Sequence, residues 1–451
     1  MVSIEWINHA GFITKYRAIA LACDPWLDGP AFNEGWTLIA PTCFKPQDFA
    51  NVTHIWFSHE HPDHFSPKNI CEIPAELRPK ITVLFQKTKD GKVIKFCRDL
   101  GFRTVEFEAG MPYKLAPDFT VWCYRHANAD REAAIDSFLL MQAGKTCLLN
   151  MNDYITEGSE ELRAIKNRCG DLTVLFTQFS YANWVGNPGD DALKEKAAQQ
   201  KIISIQEQTA ILQPQFIVPF ASFVFFSNVE NFHMNSHVNA ISDIYNLIKP
   251  TAVTPVVLYP GDEWRVGEEV NCTGALSRYA EDMHNALAAP PCFRVRNTPA
   301  DQLIADAEKF CQKMFNAHPA LILRYFIPST TIWIRDYGRA FVFDYRWGLQ
   351  EHAGVAECDC DISLVSGALS HCFTTLWGAD TLAVNGCFTS PKAGRHMRFF
   401  SCLAPSRYAN AGIRLDFTVT AWAIWRKVWA VTSKTLLDRC LRGIVPGAGV
   451  A

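Results

Sequence analysis

The chain has 451 residues, of which 49% are hydrophobic and 20% charged, and a formal net charge of −3. That length predicts two or three domains, and that composition a large apolar core. The near balance of charge leaves no basic surface for nucleic acid, and no apolar stretch is long enough to cross a bilayer. The start, Met1-Val2-Ser3-Ile4-Glu5-Trp6, lacks the charged head and apolar centre of a secretory signal. The sixteen cysteines follow no framework spacing, so reduced thiols in a cytoplasm are expected. Cys123-x-x-His126 and Cys358-x-Cys360 have no second pair nearby, which excludes a Rieske cluster or a structural zinc finger built on them.

In chain order, the first apolar run is Ile19–Cys23 and the second is His54–Phe57. Directly after the second comes Ser58-His59-Glu60-His61-Pro62-Asp63-His64, an H-x-H-x-D-H pattern. Three imidazoles and a carboxylate in six positions suit a metal centre better than a core or a solvated loop. In an extended segment, residues two apart point the same way, so His59 and His61 converge on one ion. Asp63 and His64 follow where the chain turns and reach a second ion, which makes a two-metal catalytic site.

Further strand-like runs are Ile81–Phe85, Phe119–Tyr124, Thr146–Asn150, Leu172–Phe176 and Phe216–Phe220. Pro67–Ile73, Lys92–Leu100, Lys194–Leu212 and Val238–Ile248 read as helices between them. Strands interleaved with helices predict a layered α/β architecture. Polar residues gather after the strands: His59, then Asn152-Asp153, then Ser227-Asn228-Val229-Glu230. Strand ends are where α/β folds collect their sites, so these groups are expected to share one.

Ala286–Pro291 turns small and proline-rich, and a boundary is placed there. The chain divides into residues 1–285, a unit 292–415 and a tail 416–451. In the second unit Leu303, Ala307, Phe310 and Met314 recur at helical spacing. Ala320–Phe326, Thr331–Tyr337, Ala340–Tyr345 and Thr381–Phe388 read as strands, and Ile362–Trp377 as a helix. Together they predict a smaller α+β unit, read as a module for packing and homodimer formation before a substrate lid or apolar pocket, with Trp333, Trp347 and Trp377 in its core. In the tail, Thr418–Val431 is broken by Arg426-Lys427 and reads as an amphipathic helix.

His59-x-His61-x-Asp63-His64 resembles the signature of the metallo-β-lactamase superfamily, whose fold is an αββα sandwich with metals at one edge. Asn8-His9-Ala10-Gly11 and Asp24-Pro25-Trp26 resemble its early histidine turn and its D-P segment. A narrower resemblance joins Asp24 to Phe32, Gly35-Trp36 and Pro219 to Phe223 to the catalytic part of the CMP-N-acetylneuraminate hydroxylase family. Leu376-Trp377-Gly378-Ala379-Asp380 resembles that family's carboxyl-terminal region, which has a sterol-carrier-like α+β fold. The similarity is patchy and runs over roughly residues 4 to 415.

The resemblance implies His59, His61 and His126 on one metal. It implies Asp63 and His64 on the second, with Asp153 bridging. Asp63 and Asp153 would take the catalytic roles, and His9 would orient a ligand or loop. Two departures stand out. The family's amino-terminal Rieske domain does not precede the motif here, so electrons are expected from a separate Rieske or ferredoxin donor. Asn228 stands where the pattern has its last histidine; Glu230, His233 and His237 are the nearby substitutes. A carboxylate from Glu230 would favour iron over zinc.

The expected activity is a metal-dependent oxygenase with one or two divalent ions, iron before zinc or manganese. It would hydroxylate a small substrate of the nucleotide-linked or N-acyl amino-sugar class. The alternatives are metal-dependent hydrolysis of a phosphodiester, lactone or amide, and a non-catalytic binding protein whose site has decayed at Asn228. Against the last, four clustered polar groups are costly to bury unless a cation satisfies them.

Overall fold

The computed structural model describes residues 1–126, 135–156 and 158–416. The tail segment Thr418–Val431 lies outside the described residues. The chain opens with β1 (Val2–Asn8), β2 (Gly11–Tyr16), β3 (Ile19–Cys23) and β4 (Trp36–Leu38). It continues with β5 (His54–Trp56), β6 (Thr82–Gln86), β7 (Arg103–Phe107), β8 (Pro112–Ala116), β9 (Phe119–Arg125), β10 (Ser137–Ala143), β11 (Thr146–Asn150) and β12 (Val174–Gln178). Then follow β13 (Phe216–Phe220), β14 (Val224–Phe226), β15 (Thr254–Pro255) and β16 (Glu263–Arg265).

Two seven-stranded sheets result, ordered β16-β1-β2-β3-β5-β6-β7 and β15-β13-β12-β11-β10-β9-β8. Each is half antiparallel hairpins and half parallel strands. β3, β5, β6 and β7 run parallel, as do β11, β12, β13 and β15. Parallel neighbours need crossovers, and helices Pro67–Glu72, Lys92–Asp99, Ser159–Cys169 and Asp191–Leu212 supply most of them.

The sheets face each other. Phe12 of β2 stacks on Phe176 of β12 with ring centroids 4.2 Å apart, inside an apolar core drawn from both. The other face of the first sheet carries Ile55, Val83 and Phe85, covered by Ile70, Val93 and Ile94 of its helices. The result is a mixed helix–sheet–sheet–helix sandwich. Parallel strands point their carboxyl ends at one rim, and the segments that follow β5 and β11 meet there.

Residues 295–415 build a second apolar core on a four-stranded sheet, ordered β19-β18-β17-β20. Its strands are β17 (Thr330–Ile334), β18 (Arg339–Asp344), β19 (Gly348–Glu351) and β20 (Ile362–Leu364). Three expectations are corrected here. Ala320–Tyr325 is a helix, not a strand: Ile322 and Leu323 are buried together while Leu321 and Tyr325 face solvent, which period-two alternation does not give. Gly378–Asn385 is a helix ended by Gly386 at φ 69°, so Thr381–Phe388 is not a strand. Ile362–Trp377 splits into β20, paired in parallel with β17, and helix Ser366–Thr374. In addition, Trp347 is largely exposed rather than core, while Trp377 is buried.

The second core is tied to the sandwich by specific polar contacts. Trp184 N–H donates to Ala383 O at 3.0 Å, and Asn187 and Ser390 exchange two hydrogen bonds. Asn231 donates to Asn385 O, and Asn385 donates to Phe32 O. No helix among the described residues is long and apolar enough to cross a membrane.

Candidate metal centre

The segment after β5 is fixed before it offers any ligand. Ser58 N–H donates to Asp24 Oδ1 at 2.8 Å, and His64 N–H and Phe65 N–H both return to His61 O. The chain thus turns sharply at Pro62, and Ser66 then caps helix Pro67–Glu72 through Asn69 N–H. All of this lies in the buried rim: His59, Asp63 and His64 are each 0 to 1% exposed.

The rings of His59 and His61 converge, with Nε2 of one 2.9 Å from Nδ1 of the other. Asp136, just before β10, brings Oδ1 to 3.8 Å from His59 Nε2 and completes a first donor set of His59, His61 and Asp136. A second set is His59, His64 and Asp153, where His64 Nε2 is 3.3 Å from Asp153 Oδ2. A third is His9, Asp63 and His64: Asp63 Oδ2 lies 3.4 Å from His9 Nε2 and 3.2 Å from His64 Nε2. Shared members make the three sets one continuous cluster.

The electrostatics follow from burial and carboxylates. Burial pushes the His59 and His61 imidazoles down to about 4, so both are neutral near pH 7, the form that ligates metal. Burial pushes His64 down too, but Asp63, Asp153 and Asp24 outweigh it and hold its pKa well above the ordinary histidine value. Asp63 is pushed up by burial and pulled further down by His64 and His9. The cluster therefore calls for positive charge. His9 Nδ1 and Asp63 Oδ1 are buried without a hydrogen-bond partner, while His9 Nε2 and His64 Nε2 face only carboxylate oxygens at 3.2 to 3.4 Å. Each such group costs about 1–3 kcal/mol when left unmet. Unmet nitrogen and oxygen donors around a charge-demanding centre fit a divalent cation.

A supporting shell aims these side chains. Asp24, at the end of β3 with φ 39°, accepts from Ser58 and faces His64 Nδ1 at 3.2 Å. Asn152 also donates to Asp24. His9, at φ 47°, is pinned by Asn8 Oδ1 on its N–H and by Ala221 N–H on its carbonyl. Gln178 Nε2 donates to Asp153 Oδ1 at 3.2 Å, and Lys201 donates to Gln178 Oε1.

The structure thus brings His59, His61, Asp63, His64 and Asp153 together. His126 stands apart from the three sets: its ring stacks on Tyr154 at 4.1 Å. Glu230 also stands apart, in an ion pair with Arg335. Asn228 is a turn residue whose Oδ1 accepts from Glu230 N–H. His233 and His237 lie on the short helix Phe232–His237, outside the sets. Asp136 was not foreseen, because β10, which it precedes, did not stand out in the sequence. His9, expected to orient, stands among the donors themselves.

No family model matches. A cytidine monophosphate-N-acetylneuraminic acid hydroxylase of Xenopus laevis is 34% identical over 89 residues, 20% of this chain and 15% of that protein. A Rieske 2Fe-2S iron–sulfur protein of Mycobacterium tuberculosis is 24% identical over 264 residues, 54% of this chain and 48% of that protein. The chain resembles the metallo-β-lactamase superfamily and, in part, this hydroxylase. It spans less than half the length of these two curated relatives. Among solved structures, the diiron β-hydroxylase CmlA of Streptomyces venezuelae is 15% identical with a TM-score of 0.40, covering 58% of this chain and 54% of that one. A metallo hydrolase of Ignicoccus hospitalis is 13% identical with a TM-score of 0.39, covering 58% and 97%.

Proposed function

We propose that the chain is a metal-dependent oxygenase that hydroxylates a small organic substrate, with iron as its metal. The observation that carries this reading is the carboxylate-rich, continuous donor cluster, in which Asp63, Asp136 and Asp153 accompany four imidazoles. Carboxylates beside imidazoles shift preference from zinc toward iron and manganese. The partial sequence likeness to a hydroxylase and to Rieske proteins supports oxidation over hydrolysis.

In this reading His59, His61 and Asp136 hold one ion, and His64, Asp63, Asp153 and His9 hold a second. Bound iron would supply the activation of O₂. The chain's own residues position and shield: Asp24 and Gln178 fix the ligands, and Trp26, Phe32 and Trp36 form a buried aromatic wall beside His9 and His61. An iron–sulfur donor of Rieske or ferredoxin type provides two electrons per turnover. With two protons, these leave one oxygen atom in the product and one in water. Residues 1–285 are proposed as the catalytic unit and 292–415 as a sterol-carrier-like unit beside it.

The test is elemental analysis of anaerobically purified protein, followed by oxygen uptake with a reduced ferredoxin. A nucleotide-linked or N-acyl amino sugar, the class that the sequence resemblance implies, is one substrate to assay. Stoichiometric iron and substrate-dependent oxygen uptake are expected. Zinc, with turnover of phosphodiesters in the absence of oxygen, would establish the hydrolase instead.

A further inference from the structure

Within residues 1–285 a cavity of about 320 Å³ lies apart from the donor cluster, since no member of the three donor sets lines it. It sits close behind them. Phe179 lines it and directly follows Gln178, which donates to Asp153 Oδ1 at 3.2 Å. Ser222 lines it and directly follows Ala221, whose N–H donates to His9 O at 3.0 Å. Ser222 also belongs to the stretch Pro219 to Phe223, which supplies no donor to the cluster.

Most of the wall is apolar. Phe223 and Tyr279 stack at 4.1 Å into one continuous surface, and Phe179 meets Phe223 at 5.1 Å. The helix Thr273–Ala288 lines the cavity with Leu276, Tyr279, Ala280, Met283 and Leu287, the spacing of one helix face. Of that helix only Ala275 and Tyr279 are buried, and Leu287 is 37% exposed. Apolar side chains that border a void forgo contacts, which an apolar guest restores.

The polar lining is mostly spent. Tyr279 Oη accepts from Trp6 and donates to Leu258 O, Tyr181 Oη donates to Met234 O, and Asn239 Nδ2 donates to Phe179 O and Ala198 O. Two hydroxyls differ. Ser222 Oγ accepts from the N–H groups of Phe179 and Ser180 at 3.2 and 3.0 Å, and Ser180 Oγ accepts from Asn239 N–H at 3.0 Å. These serines are 7% and 3% exposed. Each still has a hydroxyl hydrogen to give, and neither hydrogen meets an acceptor among the described residues. No lysine or arginine among the described residues lines the cavity.

We propose that this cavity binds an uncharged apolar molecule that carries one carbonyl group. The carbonyl oxygen, with two lone pairs, accepts from Ser180 and Ser222. The apolar remainder lies along Phe223, Tyr279 and the helix face that ends at Leu287. The volume suits a small organic molecule. A carboxylate is a poor fit, because its charge would lose water with no cation to meet it. A plain hydrocarbon leaves both hydroxyls unmet. None of these groups is a metal donor, so binding does not depend on the oxygenase reading.

The experiment is displacement of the neutral fluorescent dye N-phenyl-1-naphthylamine from the full chain by three probes. They are nonan-2-one, ionised nonanoate, and 2-methylnon-1-ene, in which a methylene replaces the carbonyl oxygen. The ketone is expected to bind at least about fivefold tighter than the alkene, the worth of one net hydrogen bond, and tighter than the acid. Ser180→Ala should remove the ketone's advantage and leave the alkene's affinity alone. Should that variant not fold, the comparison of ketone with alkene on the parent chain decides the carbonyl contact by itself. Ala280→Trp fills the cavity from an exposed helix position and should abolish displacement by the ketone. No displacement by the ketone, equal binding of ketone and alkene, tighter binding of the acid, or binding untouched by Ala280→Trp would overturn the proposal.

Discussion

His64, in the turn after β5, and Asp153, in the turn after β11, meet at 3.3 Å between Nε2 and Oδ2. They come from different sheets, so each holds the rim of the other's half of the sandwich. If a cation lies between them, His64→Ala should roughly halve the metal bound per chain, since a two-ion cluster loses one site. Glu230→Gln should leave metal content unchanged, because that carboxylate is spent on Arg335. Elemental analysis of the two variants checks both.

Lys201 acts at one remove. It donates to Gln178, which donates to Asp153, and burial lowers its pKa. Lys201→Met keeps the bulk and removes the anchor. Metal retention against a chelator is expected to fall by about 10–100-fold, as for other residues that orient a ligand. A thermal melt of the metal-free variant should match the parent.

Gly35 packs directly against the second unit. A Cβ there would lie 2.4 Å from Asn385 Cβ and 2.9 Å from Phe32 O. Gly35→Ala must therefore push the helix Gly378–Asn385 away from the sandwich. The expected cost is about 1–3 kcal/mol, the range for overpacking, read as a lower urea midpoint.

His54 starts β5, on the opposite rim from the motif, and burial pushes its imidazole from 6.5 to about 4. Between pH 6.5 and 4 the unfolded chain binds this proton and the folded chain does not. Stability therefore rises with pH across that window and is lost as pH falls through it. His54→Gln should flatten this slope relative to the parent. Urea unfolding at pH 7 and pH 5 measures the difference.

His59 and His61 were legible because their spacing and the strand before them are local facts, and their rings do converge. The segments after β5 and β11 were legible as strand ends. The helix Gly378–Asn385 resembles a strand in sequence because Thr381, Val384 and Phe388 favour strands, and only the turn at Gly386 ends it as a helix. Ile362–Leu364 was absorbed into a helix because its pairing with β17 is a contact distant in sequence.

What the chain alone determined is its chemistry: imidazoles and carboxylates packed into a few positions, which ask for a cation wherever the backbone brings them together. What only the folded arrangement decided is the choice of partners. Asp136 stands with His59 and His61, while the ring of His126 stacks on Tyr154. Glu230 is taken by Arg335, which comes from the second unit. Spacing fixes which way neighbours point, but distances between remote segments depend on sheet order and core packing, which no short pattern encodes.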